Sequence, residues 1–308
     1  MIAFMFSGQG AQKAGMGKEI YDNFPCAKEV FDKADEALGI KISDICFNED
    51  ERLNETEYTQ PAILTMSVAA LKVALEKGLK ADFVAGLSLG EYSAHVASGS
   101  FDFEDAVKLV RKRGRFMTEA VPLGEGGMCA VLNLEEEKIQ QACDEVKDIG
   151  RCYIANYNCP GQIAIAGDKA AVEKAAEKVK ELGARKAVML NVSGPFHTPL
   201  LESASVKLNK ELLQIDIKDM AVPVITNLNA KPVPSKDDII PILTKQVMSP
   251  VRWEQTVRYL LEQGVDTFIE IGPGKTLSSF VKKVDKNVAV YNIEDMASLE
   301  KTCGGMEC

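Results

Sequence analysis

Short uncharged runs and longer amphipathic stretches alternate along the chain. Ile2 to Phe6 is an apolar run of strand type, halted by Ser7-Gly8-Gln9-Gly10-Ala11-Gln12, a turn where backbone can approach a ligand closely. Helical periodicity follows at about 25–38 and 61–77, and Gln60-Pro61 fits a helix with proline at its first position. Phe83-Val84-Ala85 reads as the end of a buried strand, Glu91 to Ala97 as a helix, and about 103–119 as another. Strands alternating with helices predict an α/β sheet that is largely parallel.

The rhythm changes at 124–193. Met128 to Leu132 reads as a strand and about 135–147 as a charged helix. Two strands, 152–155 and 162–166, flank the turn Cys159-Pro160-Gly161 as a hairpin; a helix at about 169–182 and a strand at 186–192 complete the segment. The order β-α-β-β-α-β is the split βαβ, or ferredoxin-like, pattern. We therefore expect a small domain at 124–193 inserted into a large α/β domain made of 1–123 and 194–308. The α/β pattern resumes with strands at 222–226 and 267–271 and a helix at about 251–263. No repeat or low-complexity tract interrupts it.

Composition narrows the function classes. The 308 residues are 46% hydrophobic and 26% charged, which is globular with ample core. A net charge of -9 argues against a nucleic-acid partner. No apolar run approaches the ~20 residues needed to span a bilayer, and the apolar start has no basic segment before it, so a cytoplasmic enzyme is expected. The eight cysteines form no Cys-x-x-Cys, and with only two histidines no zinc spacing arises. They are expected to be reduced thiols, several in the core, with Cys303 and Cys308 exposed in a Gly-rich tail.

Candidate chemistry centres on Ser88 in Gly86-Leu87-Ser88-Leu89-Gly90. A strand, a Gly-flanked turn and a helix are the parts of a nucleophile elbow. The helix N-terminus offers free N–H groups to the negative charge that forms when an acyl carbonyl is attacked. Serine needs a base. His95 lies seven residues further along the same predicted helix, a rise of about 10 Å, too far for a hydrogen bond. His95 is therefore read as structural. That leaves His197, in the stiff loop Ser193-Gly194-Pro195-Phe196-His197-Thr198-Pro199. No acid stands out to complete a triad, and a backbone carbonyl or side-chain amide could orient the imidazole instead.

Arg113 is the second signal. At about 100° per residue, Lys108, Arg111, Lys112 and Arg115 point away from the apolar stripe of Val107, Val110, Gly114 and Met117. Arg113 falls inside the apolar arc, between Leu109 and Met117. An inward guanidinium needs an anionic partner. Either an internal Asp or Glu or the carboxylate of a substrate would serve, the latter gripped by both arms of the fork.

Together these residues resemble the malonyl-CoA:acyl carrier protein transacylases of fatty acid synthesis. The similar stretches are Gly8 to Gln12, Gly86 to Ala94, Arg113 to Met117, Asn156 to Gln162, Gly194 to His197, Gln246 to Trp253 and Glu270 to Gly274, in the family's order. They cover nearly all of the chain up to about 290. The resemblance implies an α/β-hydrolase-like large domain with a ferredoxin-like insert, and ping-pong transfer from malonyl-CoA to the phosphopantetheine thiol of acyl carrier protein through a malonyl ester on Ser88. His197 would be the base. The N–H groups of Gln9 and Leu89 would form the oxyanion hole, Arg113 would hold the malonyl carboxylate, and Gln246 would orient His197. No metal or cofactor is implied. Leu87 departs from the family's frequent histidine before the serine, Ser7 and Pro195 occupy variable places, and bulky Phe196 fits malonyl better than methylmalonyl. Because such carrier proteins are acidic, Arg111, Lys112, Arg115, Lys275, Lys282 and Lys283 are candidate docking residues. A thioesterase would use the same Ser88–His197 pair with water in place of the thiol. A malonyl-specific arm of a polyketide system and a non-enzymatic carrier-binding module are the other readings.

Overall fold

Ile2–Phe6 (β1) lies at the centre of a five-stranded parallel sheet in the computed structural model, which describes residues 1–192 and 194–306. Ser193 of the expected histidine loop and Cys308 lie outside the described residues. The remaining strands, in chain order, are Phe83–Gly86 (β2), Gly126–Leu132 (β3), Cys152–Cys159 (β4), Gln162–Asp168 (β5), Lys186–Met189 (β6), Val224–Ile225 (β7), Val251–Arg252 (β8), Thr267–Ile271 (β9) and Ala289–Ile293 (β10). The parallel sheet runs β10-β9-β1-β2-β7, with Met5 opposite both Ala85 and Glu270. Side chains alternate across it. Phe4, Phe6, Val84 and Ile269 enter one apolar cluster, and Ala3, Met5, Ala85 and Phe268 enter another on the opposite face. Both faces of this sheet are therefore buried, which is why its strands read as near-continuous apolar runs.

The second sheet runs β6-β3-β5-β4-β8. Cys129, Val131, Ile154 and Ile165 face the helices Glu136–Asp144 and Lys169–Glu181 and form a separate small core. Met128, Ala155, Ala164 and Ala166 face the other way and join the main core. This sheet thus leans its second face against the body that carries the parallel sheet.

Several expected boundaries move. The helix expected at 61–77 runs from Thr56 to Glu76, so Pro61 sits inside it rather than at its first position. The ring deprives the Glu57 carbonyl of its usual donor, one bond in a 21-residue helix whose packing outweighs it. The extra turn was hidden because Thr56, Thr59 and Gln60 are polar yet buried. The strand expected at 222–226 pairs only at Val224–Ile225, since Pro223 has no N–H to give the ladder. Val251–Arg252, expected as helix, pair in parallel with Asn156–Tyr157, and the helix starts at Trp253. So the second sheet takes a strand from outside 124–193. The Gly-rich tail is helical over Met296–Met306, and Cys303 is half-buried against the core rather than exposed. Among the described residues no helix is long and apolar enough to cross a membrane.

Candidate active site

Ser88 sits where β2 turns into the helix Gly90–Ala97, with φ of 55°. The turn closes only because its flanks lack side chains. A Cβ on Gly86 would stand 2.0 Å from the Gly90 carbonyl, and one on Gly90 would stand 2.1 Å from the Phe6 carbonyl. His197 also holds a left-handed backbone, φ 61°. Such conformations are uncommon in residues with a side chain and persist where the surroundings enforce them.

These two strained residues meet. Ser88 Oγ lies 2.6 Å from His197 Nε2, across 109 positions of sequence. His197 Nδ1 donates to the Gln246 backbone carbonyl at 3.0 Å. A carbonyl only accepts, so the proton resides on Nδ1 and leaves Nε2 a free lone pair facing the serine. Burial, reinforced by the positive charge of Arg113, holds the His197 pKa down at about 4. At neutral pH the imidazole is therefore an uncharged base.

Arg113 is 1% exposed and reaches the same point from the helix Phe103–Glu119. Its Nη2 donates to Ser88 Oγ at 3.2 Å and to Gln246 Oε1 at 3.1 Å, and its Nη1 to Gln60 Oε1 at 2.9 Å. Its guanidinium lies 5.1 Å from the Tyr92 ring centroid. Among the described residues no Asp or Glu forms an ion pair with it, so the internal-salt-bridge reading fails. The cation rests on neutral oxygens and a π face.

Gln9 and Leu89 line the cleft with Ser88 and His197. Gln9 is anchored by its side chain, which donates to Thr56 Oγ1 at 2.9 Å. The N–H of Leu89, just before the helix, and that of Gln9 make no backbone hydrogen bond among the described residues. Gln246 meets His197 through its main chain. Its side chain instead donates to the Ser88 carbonyl at 2.8 Å and to Glu91 Oε2 at 3.1 Å. His95 is elsewhere: buried, stacked on Phe101 at 5.0 Å, its Nδ1 2.9 Å from Ser100 Oγ.

Three side chains at this site were not singled out from sequence: Gln60, Glu91 and Asn227. Asn227 Oδ1 accepts from the Ser88 N–H at 2.6 Å, and Nδ2 donates to the Gly86 carbonyl at 2.7 Å, so it pins the elbow. Glu91 is fully buried, and burial pushes its pKa up to about 7 against the pull of the Asn227 N–H and the Gln246 amide. An acid in the first turn of a helix reads as an ordinary dipole partner, and Asn227 reads as a turn residue. Neither carried a separate signal.

The cleft encloses about 190 Å³. Met128, Asn156 and Ala164 of the second sheet form one wall, and Phe196 and Phe280 contribute to the rest. The basic candidates divide. Arg111, Lys112 and Arg115 are paired with Glu57, Glu211 and Glu119 on faces of their helix turned away from Arg113. Lys275 stands 3.8 Å from Glu294, and Lys282 donates to the Val288 carbonyl at 2.6 Å. Lys283 touches Gln162 at 3.4 Å, linking the hairpin of the second sheet to the helix Thr276–Val284, whose Thr276 and Phe280 line the cleft.

Comparison with known proteins agrees with this geometry. The family model for the acyl transferase domain matches residues 3–302. The malonyl CoA-acyl carrier protein transacylase of Bacillus subtilis is 50% identical over 301 residues, covering 97% of this chain and 95% of that protein. The crystal structure of malonyl CoA-acyl carrier protein transacylase from Clostridium perfringens superposes with a TM-score of 0.96 at 50% identity, over 99% of this chain and 97% of that one. A structure of a type II PKS acyl-carrier protein in complex with its malonyl-transacylase gives a TM-score of 0.96 at 39% identity, over 99% of both chains. Similar in sequence and fold along almost its whole length, the chain is an acyltransferase and belongs to the malonyl CoA-acyl carrier protein transacylase family.

Proposed function

We propose that this acyltransferase moves malonyl from malonyl-CoA to the phosphopantetheine thiol of acyl carrier protein, through a malonyl ester on Ser88, and so supplies fatty acid synthesis in the cytoplasm. Ser88 Oγ attacks the thioester carbonyl while His197 Nε2 takes its proton. The N–H groups of Gln9 and Leu89 hold the oxyanion. The C–S bond breaks and coenzyme A leaves with the proton from His197. The carrier thiol then gives its proton to His197 and attacks the ester; the acyl–Oγ bond breaks and His197 returns the proton to Ser88 Oγ. Arg113 swings its Nη2 from Ser88 Oγ to the malonyl carboxylate, where charge-assisted bonds favour malonyl over uncharged acyl groups. The Gln246 carbonyl keeps His197 in the required tautomer.

The observation that carries this reading is the 2.6 Å contact of Ser88 Oγ and His197 Nε2 inside a cleft that also holds a buried guanidinium with no carboxylate partner among the described residues. The finer fold reading is an α/β-hydrolase-like large domain, 1–123 and 194–308, with a ferredoxin-like small domain at 124–193. It is supported by the order β6-β3-β5-β4, the split-βαβ arrangement. Phe196, buried at the cleft wall, favours malonyl over methylmalonyl. Lys275 and Lys283, at the two ends of the helix whose Thr276 and Phe280 line the cleft, are the better placed docking cations for an acidic carrier protein.

Isotope exchange tests the ping-pong step. Labelled coenzyme A should exchange into malonyl-CoA with no carrier protein present. Absence of exchange, together with steady release of free malonate, would instead make the protein a thioesterase.

A further inference from the structure

Arg113 raises a question of charge. A buried guanidinium normally rests on a carboxylate, yet among the described residues its hydrogen-bond partners are Gln60, Ser88 and Gln246. The nearest acid in the network, Glu91, is one amide away. Gln246 donates through Nε2 to Glu91 Oε2 at 3.1 Å and accepts through Oε1 from Arg113 Nη2 at 3.1 Å. The amide therefore stands between a carboxyl group and a cation. Its orientation follows from its neighbours: Glu91 Oε2 and the Ser88 carbonyl are both acceptors, so the NH2 must face them and the oxygen must face Arg113.

Glu91 is also tied to the nucleophile. Its Oε2 accepts the Asn227 backbone N–H at 2.9 Å, and the Asn227 side chain takes the Ser88 N–H and the Gly86 carbonyl. Thus one carboxylate that touches neither Ser88 Oγ nor the cleft lining reaches Arg113 and His197 through Gln246, and Ser88 through Asn227. A direct Glu–Arg pair would occupy the fork that an acyl carboxylate needs. Setting an amide between them keeps the carboxyl group close and leaves the guanidinium without a carboxylate in direct contact.

We propose that Glu91 is a positioning residue for malonyl selection: by holding the Gln246 amide and the Asn227 backbone, it presents Arg113 unpaired to the acyl carboxylate and fixes the backbone of Ser88. The proposal rests on the malonyl reading above.

The test compares Glu91→Gln with Glu91→Ala in the full chain, measuring kcat/KM for loading from malonyl-CoA and from acetyl-CoA together with thermal melting. Gln keeps an oxygen for both donors, whereas Ala leaves two buried donors unmatched, a loss on the order of 10–100-fold where the partner groups act in the reaction. Glu91→Ala is expected to lower malonyl loading about 100-fold and the malonyl-to-acetyl ratio about tenfold. Glu91→Gln is expected to restore that ratio to within about threefold of the native protein. Native malonyl loading and ratio in a folded Glu91→Ala would overturn the proposal. So would a Glu91→Gln that melts like the native protein yet shows the alanine-sized fall in ratio. If Glu91→Ala does not fold, the ratio in Glu91→Gln decides alone. Failure of the underlying reading is separate: the native protein would then load no malonyl at all.

Discussion

Ser88 and His197 both belong to the body built on the parallel sheet, and both hold a positive φ. The second sheet faces the same cleft with Met128, Asn156 and Ala164, none of them titratable. The first region is buried on both faces and cross-tied by Asn227, Glu91 and Gln246. The second is more open: its edge strand Lys186–Met189 leaves Val188 and Met189 nearly half exposed, and its helices are mostly charged outside. The difference separates two tasks. Reactive groups are held in strained geometry where neighbouring structure can enforce it. The second sheet contributes wall to the cleft.

Substitutions should reveal that division. His197→Ala strikes the reactive region and is expected to lower malonyl loading about 1,000-fold, within the range for a general base. Its pH signature is equally specific. Because burial and Arg113 lower the pKa of His197 to about 4, the base is uncharged and active above that value and is lost by protonation below it. The kcat/KM for malonyl-CoA should therefore be flat above about pH 5 and fall below about pH 4. A limb near pH 6.5 that persists in Glu91→Gln would mean a solvated, not a buried, imidazole. Arg113→Ala comes next, with about 100-fold lost for malonyl and acetyl loading kept within a few fold. Equal loss for both acyl groups would make Arg113 a structural residue.

The docking cations should respond more weakly. Lys283→Glu is expected to raise the KM for carrier protein about fivefold, less so at high salt, and to leave loading from malonyl-CoA unchanged. The smallest effect on rate belongs to the second sheet. Met128→Ala should lower stability by about 2 kcal/mol on thermal or denaturant unfolding, while loading stays within about threefold. A rate loss comparable to that of Arg113→Ala would erase the distinction between the two regions.

Much of the reactive region was legible in sequence because its constraints are local. Gly86 is demanded by a clash with Gly90, four residues on, and the inward turn of Arg113 follows from helical phase alone, whereas Gly90 is demanded by Phe6 of the neighbouring strand. The β-α-β-β-α-β order of 124–193 showed in the alternation of strands and helices, and it returns as β6-β3-β5-β4. What stayed hidden depends on partners distant in the chain. Thr56, Thr59 and Gln60 are polar yet buried because Gln9 donates to Thr56, Thr59 donates to the Leu53 carbonyl and Arg113 donates to Gln60. Val251–Arg252 become strand only because β4 offers an edge. Glu91 and Asn227 acquire their roles from each other, 136 positions apart. His197 was found by scarcity, since the only other histidine could not reach Ser88.

The most direct measurement is a peptide map of the native protein after incubation with malonyl-CoA alone. Malonyl should be found on Ser88, should persist until a phosphopantetheine thiol is supplied, and should then leave with that thiol. Malonyl on another residue, or no covalent adduct while transfer proceeds, would contradict the ester mechanism.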